Sequence, residues 1–338
     1  MIKTTVLTTL TLSLVVASPL AKQAKDNGLI PIPTDKKEIR KLVDNPRNPI
    51  SNAKVELGKQ LYFEPRISKS GLISCNTCHN LGTGGVDGVA AAIGHKWTAN
   101  PHHLNSPTVY NAVFFDAQFW DGRDQDLEKQ AQGPILAGPE MAATKEHVIQ
   151  TVTSMPEYVQ SFKTAYGDDV KIDYETITAT IGLFERTLVT PAPYDAFLNG
   201  DENAMSEAQK EGLKTFMDKG CATCHTGIAL GGSMQAFGLT GKYKYADIGD
   251  FKGDANGLVK TPTLRNITET GPYFHNGAVS TLKEAIVEMG RIQLGLEITD
   301  EEATSIETFF QALEGEKPKI VYPQLPNPTA STPKPDVN

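Results

Sequence analysis

The chain has four cysteines, and two copies of one short frame use all of them. "SCNTCHN" carries Cys75, Cys78 and His79, and "GCATCHT" carries Cys221, Cys224 and His225. A Cys-x-x-Cys pair followed at once by His is the attachment signature of a c-type haem. Two thiols form thioethers with the haem vinyl groups, and the adjacent imidazole reaches the iron. One copy could arise by chance, as a redox disulfide or as half a zinc site. Two copies with no spare cysteine leave no thiols for the disulfide framework usual in exported proteins. The sequence therefore predicts two covalently bound haem c groups.

The chain start agrees with that chemistry. Lys3 precedes an uncharged, largely apolar stretch from Val6 to Val16, and small residues follow at Ala17, Ser18 and Ala21. This pattern reads as a signal peptide over residues 1–21, cleaved near Ala17 or Ala21, which directs the protein to the periplasm. The stretch is short and weakly apolar for a membrane anchor, and no span is expected in the mature chain. A formal net charge of -8 argues against nucleic acid as a partner.

The two halves align with each other. "NSPTVYNAVFFDAQFWDGRDQDLEKQ" (105–130) lies over "KTPTLRNITETGPYFHNGAVSTLKEA" (260–285) without a gap. Pro107 and Pro262, Thr108 and Thr263, Asn111 and Asn266, Phe119 and Phe274, and Gly122 and Gly277 coincide. A helical pattern precedes each cysteine frame, "VELGKQLYF" in one half and "SEAQKEGLKTFMDKG" in the other. Ser206 with Gln209, and Thr299 with Glu302, predict capping boxes, and Gly315 is the expected stop of the last helix. The expected fold is all-α, with two cytochrome c-like domains related by duplication, each carrying one haem. An N-terminal domain is expected over 22–188, a C-terminal domain over 189–320, and a Pro-rich tail, extended or disordered, over 321–338.

A duplication makes its differences informative. Met289 lies beyond the aligned turn of the second half, where a thioether would complete six-coordinate iron and raise its potential. The aligned residue of the first half is Pro134, which cannot ligate. Gln130 aligns with Ala285 and Glu140 with Gly295, so only the first half has acid/base-capable groups there. Candidates to cap the first iron are His95, His102, His103 and Met141. Spacing favours His95, which follows a loop made permissive by Gly82, Gly84, Gly85 and Gly88. His147 and His275 are the remaining histidines.

These residues carry a family resemblance. "CNTCHNLGTGGVDG", "IGHKW", "NSPTVYNAVF", "QFWDGR", "QGPILAGPEM", "CATCHTG", "KTPTLRN" and "GPYFHNGA" resemble the bacterial dihaem cytochrome c peroxidases, over about Ile39 to Leu313. The resemblance implies reduction of hydrogen peroxide at the first haem, with His79 proximal and His95 a displaceable distal ligand. It implies electron entry at a second haem held by His225 and Met289, from a small cytochrome c or a cupredoxin. Trp120 is implied as the bridge between haems, and Gln130 and Glu140 as flanking the peroxide. It further implies a calcium bound by the Asn105 side chain and the Thr270 and Pro272 carbonyls, and a homodimer. A Tyr in place of Met289 would instead suit the related enzymes that oxidise a partner protein.

Overall fold

A computed structural model describes residues 18–338. The expected leader falls almost wholly on residues 1–17, outside the described residues. The chain is mostly helical. The first half contains α1 Pro19–Asp26, α2 Lys36–Val43, α3 Asn52–Tyr62, α4 Cys75–Cys78, α5 Leu127–Gln130, α6 Gln132–Leu136, α7 Lys145–Thr153, α8 Pro156–Tyr166 and α9 Tyr174–Glu185. The second contains α10 Pro193–Leu198, α11 Glu207–Asp218, α12 Leu282–Met289 and α13 Asp300–Gln311. A two-stranded antiparallel ribbon, β1 Met234–Ala236 and β2 Leu258–Lys260, is an addition that the all-α expectation did not contain.

Each half is built on one close helix pair. In the first, α3 packs on α9, and in the second, α11 packs on α13. Glycine permits both contacts. A Cβ on Gly58 would fall 2.3 Å from the Thr180 carbonyl oxygen, and one on Gly212 would fall 2.1 Å from that of Ser305. One turn further on, Tyr62 meets Phe184 with ring centroids 5.3 Å apart, and Phe216 meets Phe309 at 5.5 Å. Side-chain caps start all four helices: Ser51, Asp173, Ser206 and Thr299 each accept a backbone N–H. The two predicted capping boxes form. The Gly315 expectation needs correction. The last helix ends at Gln311, and Gly315 instead donates its N–H to Asn266 Oδ1 in a space where a Cβ would meet the Thr190 carbonyl.

The aligned turns repeat in detail. Asn111 and Asn266 both take left-handed backbone, at φ 61° and 57°, and each opens a short 3-10 turn. Thr108 donates its hydroxyl to the Gly84 carbonyl, and Thr263 donates to that of Ala229. Isolated bridges join Gln118 with Asp124 and Tyr273 with Val279. The two asparagines then meet at one hydroxyl. Asn111 and Asn266 both donate from Nδ2 to Thr190 Oγ1, at 2.7 and 2.9 Å.

The chain ends cross over, which corrects the expected domain boundaries. Leu188 is the last residue of the first core and Tyr194 opens the second, close to the expected division. However, Ala21, Ala24 and Leu29 belong to the core of the second half, although the first domain was expected over 22–188. Their spacing places both alanines on one face of α1, and Ile32 N–H donates to the buried Asp195 carboxylate at 2.7 Å. Ala21, one of the two expected cleavage points, is thus an anchored core residue; Ser18 caps α1 and lies beyond the other point, Ala17. The tail runs the opposite way. It is extended, as one of the two expectations had it, and docked on the first half. Tyr322 packs against Phe63 with tilted rings, Thr332 bonds Ser154, and Lys69 pairs with Asp336.

Candidate functional site

None of the four cysteines is paired in a disulfide. Burial raises every one of their pKa values, Cys78 to about 12 and Cys221 to about 11. The histidines beside them are held by their second nitrogens. His79 donates from Nδ1 to the Pro107 carbonyl at 2.9 Å, and His225 donates to the Leu230 carbonyl at 3.1 Å. Such bonds fix the tautomer and leave Nε2 for a metal. Burial also lowers both imidazole pKa values, His225 to about 4, so the rings are neutral and ready to ligate. Tyr62 additionally donates its hydroxyl to the His79 carbonyl. The residues therefore fit haem c in both halves.

A large, mainly apolar cavity adjoins the second frame. Cys221, Cys224, His225 and Met289 line it together. Met289 ends α12, and a π-helical turn follows over Gly290–Leu294. Such turns are frequent at functional sites. The same cavity reaches Trp120, Asn105, Thr270 and Pro272, so the expected bridge and the expected calcium ligands share one wall.

In the first half, the structure separates the candidate caps. Met141 is packed in the core. His102 is exposed and bonded to Asp250, His103 is bonded to the Asn276 carbonyl, and His147 is bonded to the carbonyls of Arg66 and Ser68. His95 alone among them is buried with a ring nitrogen, Nδ1, that has no partner. Its backbone N–H donates to the Glu140 carbonyl at 2.7 Å. Gly94 makes that approach possible, because a Cβ there would meet the Pro139 carbonyl oxygen at 2.0 Å. Sequence reasoning stressed Gly82 to Gly88 and missed Gly94, since only the fold brings the 139–140 turn beside it. The residues after His95, Lys96 and Trp97, both take positive φ, at 61° and 55°. The backbone is thus strained next to this histidine.

Glu140 is half-buried. Loss of solvation raises its pKa, opposed in part by Arg123. Gln130 closes the short helix α5, whose first turn is capped by Asp126. Trp120 is buried and donates its indole N–H to the Asn105 carbonyl at 2.9 Å. His275, its partner in the alignment, lies with its ring centroid 6.3 Å away, among Phe237, Tyr243 and Phe251. Burial lowers its pKa to about 4, so it is a neutral member of an aromatic nest.

Neutral, oriented imidazoles beside paired thiols in a two-part helical chain define a c-type haem protein. Comparison with known proteins narrows the class. Residues 52–203 match the sequence profile of the di-haem cytochrome c peroxidases. The chain is 44% identical to the cytochrome c551 peroxidase of Pseudomonas aeruginosa, over 90% of this chain and 89% of that one. It is 34% identical to the methylamine utilization protein MauG of Methylorubrum extorquens, over 82% and 83% of the two chains. Among solved structures, a MauG-like protein associated with microbial copper homeostasis superposes with a TM-score of 0.70 at 25% identity, covering 81% of this chain and 93% of that chain. The chain belongs to the di-haem cytochrome c peroxidase family. Among its described residues, no helix is long and apolar enough to cross a membrane.

Proposed function

We propose that the protein is a cytochrome-c peroxidase of the periplasm that reduces hydrogen peroxide at the first haem with electrons received at the second. One observation carries this reading. The first half sets a buried histidine with an unpartnered nitrogen, His95, against the backbone of an acid, Glu140, whereas the second half has Met289 at the cavity wall. The duplication read from the sequence gives the two halves one scaffold, and the iron-facing positions divide the work.

Haem c, when bound, supplies the redox chemistry. His79 and His225 would each ligate one haem iron, and Cys75, Cys78, Cys221 and Cys224 would attach the haems covalently. Met289 would complete the second site and keep substrate from it. His95 closes the first site until its loop moves. Glu140 accepts a proton from one peroxide oxygen and returns it to the other, and its raised pKa suits a group that must do both near neutral pH. Gln130 orients peroxide by hydrogen bonding. Trp120 lies on the route between the halves. The balance is one peroxide, two electrons and two protons to two waters.

Asn105, Thr270 and Pro272 offer amide and carbonyl oxygens, the donor set of a hard cation, and would hold a calcium that ties the halves together. The electron donor is a small cytochrome c or a cupredoxin, and the assembly is a homodimer. A partner-oxidising activity would need a different second site, and Met289 argues against it. The test is peroxide turnover with a reduced small cytochrome c, measured alongside spectra of the half-reduced protein. Two permanently six-coordinate haems without turnover would make the protein an electron carrier instead.

A further inference from the structure

Lys260 is the first residue of the second half's aligned turn, opposite Asn105 in the first. The two positions mirror each other across the interface between halves. Asn105 N–H donates to the His275 carbonyl, and Lys260 N–H donates to the Trp120 carbonyl, both at 2.8 Å. The side chains differ in charge. The Asn105 amide donates to the Val89 carbonyl at 2.8 Å. The Lys260 ammonium has no hydrogen-bond or ion-pair partner among the described residues, although the residue is only 3% exposed.

Lysine is seldom buried to that degree without a counter-charge. The Nζ atom stands 4.7 Å from the centroid of the Phe115 ring. A cation–π contact of this kind contributes about 0.5–2 kcal/mol, less than the several kcal/mol that desolvating an ammonium costs. Burial lowers the Lys260 pKa to about 7, with Asp121 as the opposing influence. Asp121 is itself paired with Arg123. What Lys260 does face is the cavity that it lines with Cys224, His225 and Trp120, a cavity that also reaches Pro107, and its charge is felt at His79 in the first half.

The same mirror relation carries the proposed calcium ligands, Asn105, Thr270 and Pro272, onto Lys260, Phe115 and Ala117. A positive charge thus falls on each side of the interface, one built from oxygens and an ion, the other from a side chain.

We propose that Lys260 is the counter-ion of a carboxylate of the second haem, holding it at the interface beside Trp120 and raising that haem's potential. The inference rests on the haem c reading of Cys221, Cys224 and His225. A haem carries two carboxylates that must be neutralised when buried, and an ammonium on the cavity wall does this with a charge-assisted hydrogen bond. A fixed positive charge near the iron also disfavours the ferric state, which carries one more positive charge than the ferrous.

The experiment is spectroelectrochemical titration of both haems in the holoenzyme, with haem content measured on each sample. Lys260→Met keeps volume and removes charge. It is expected to lower the potential of the second haem by about tenfold in its redox equilibrium, about 59 mV for a one-electron couple. Lys260→Arg is expected to restore most of the shift. An unchanged second potential in a variant with full haem content overturns the proposal, as does a shift confined to the first haem. Failure to attach the second haem in the unaltered protein would instead overturn the underlying haem reading. A crystal structure of the unaltered holoenzyme tests the same contact directly. Lys260 Nζ is expected about 2.7–2.9 Å from a carboxylate oxygen of the second haem. An ammonium directed elsewhere refutes the assignment.

Discussion

The two halves share a frame and differ in what the frame holds. Asn111 and Asn266 adopt the same left-handed turn and share the Thr190 hydroxyl. Around that common point, equivalent residues do related work by different chemistry. Tyr110 donates its hydroxyl to the Leu81 carbonyl, just after the first cysteine frame. Arg265, at the aligned position, donates from Nε to the Ile228 carbonyl just after the second, and its guanidinium also grips the buried Asp195 at 2.7 and 2.9 Å. Both tether the loop that follows the frame histidine, His79 in one half and His225 in the other. The difference teaches that a backbone motif can be kept while the side-chain support beneath it is rebuilt, from one neutral hydrogen bond to a buried ion pair.

That contrast yields the largest expected effect. Arg265→Met leaves Asp195 buried without its cation and should cost about 3–5 kcal/mol of stability. Tyr110→Phe removes one hydrogen bond and should cost about 1–3 kcal/mol, because the Leu81 carbonyl is left unpaired. Denaturant melts of the haem-loaded protein check the pair. Equal losses would mean that the two tethers are energetically equivalent.

The second test breaks the catalytic asymmetry. Glu140→Gln keeps the shape of the side chain and removes its proton transfer. Peroxide turnover should fall by about 10²-fold or more, a barrier increase of about 2.7 kcal/mol, with both haem spectra unchanged. In the unaltered protein, activity should fall as pH drops through the raised pKa of Glu140, because protonation removes the base. The variant should lack that limb of the profile. Full activity in Glu140→Gln would remove Glu140 from the chemistry.

The third test addresses the other half. Met289→His replaces a thioether by an imidazole, which stabilises ferric iron, and should lower the second haem's potential. The first haem's potential should hardly move. A redox titration in which the high-potential wave persists would mean that Met289 is not a ligand.

How much of this was legible in the sequence depends on range. The cysteine frames, the helix caps and the repeat are local, and the sequence displays them directly. Met289 stood out only because Pro134 could be set against it. The crossing of the chain ends was not legible. Ala21 and Ala24 look like the small residues after a leader, and nothing nearby in sequence indicates that they fill the core of the distant half. The docking of the tail was hidden for the reverse reason: its Pro-rich composition fits an extended segment, and only the fold supplies Phe63, Lys69 and Ser154 to receive it. Among the histidines, the choice of His95 rested on spacing until the structure showed the others engaged. Lys260 was passed over because a lysine in a turn is ordinarily solvated.

The last expected effect is pH-dependent and concerns a position that the helix pairing exposes. Setting Gly58 over Gly212 pairs Thr180 with Ser305 and Phe184 with Phe309, so the next residues, Glu185 and Phe310, are equivalent. Phe310 lines the cavity beside the second cysteine frame. Glu185 is buried in the first half, with one carboxyl oxygen unpartnered. Burial, with Glu128 nearby, raises its pKa from 4.5 to about 8. The folded protein therefore keeps this proton where the unfolded chain has lost it. The resulting stabilisation is full below about pH 4.5 and declines as pH rises towards 8, by up to about 1.4 kcal/mol per pH unit. Glu185→Gln retains a neutral polar side chain and removes the titration. Relative to the unaltered protein, it should be near neutral in stability at pH 5 and stabilising at pH 8. Comparing the two proteins at each pH cancels the other titrating groups, which they share. Melting curves of the haem-loaded proteins at both pH values decide the matter. Parallel pH dependences would show that Glu185 ionises in the folded state much as it does in the unfolded chain, and that the first half does not hold a proton where the second holds an aromatic ring.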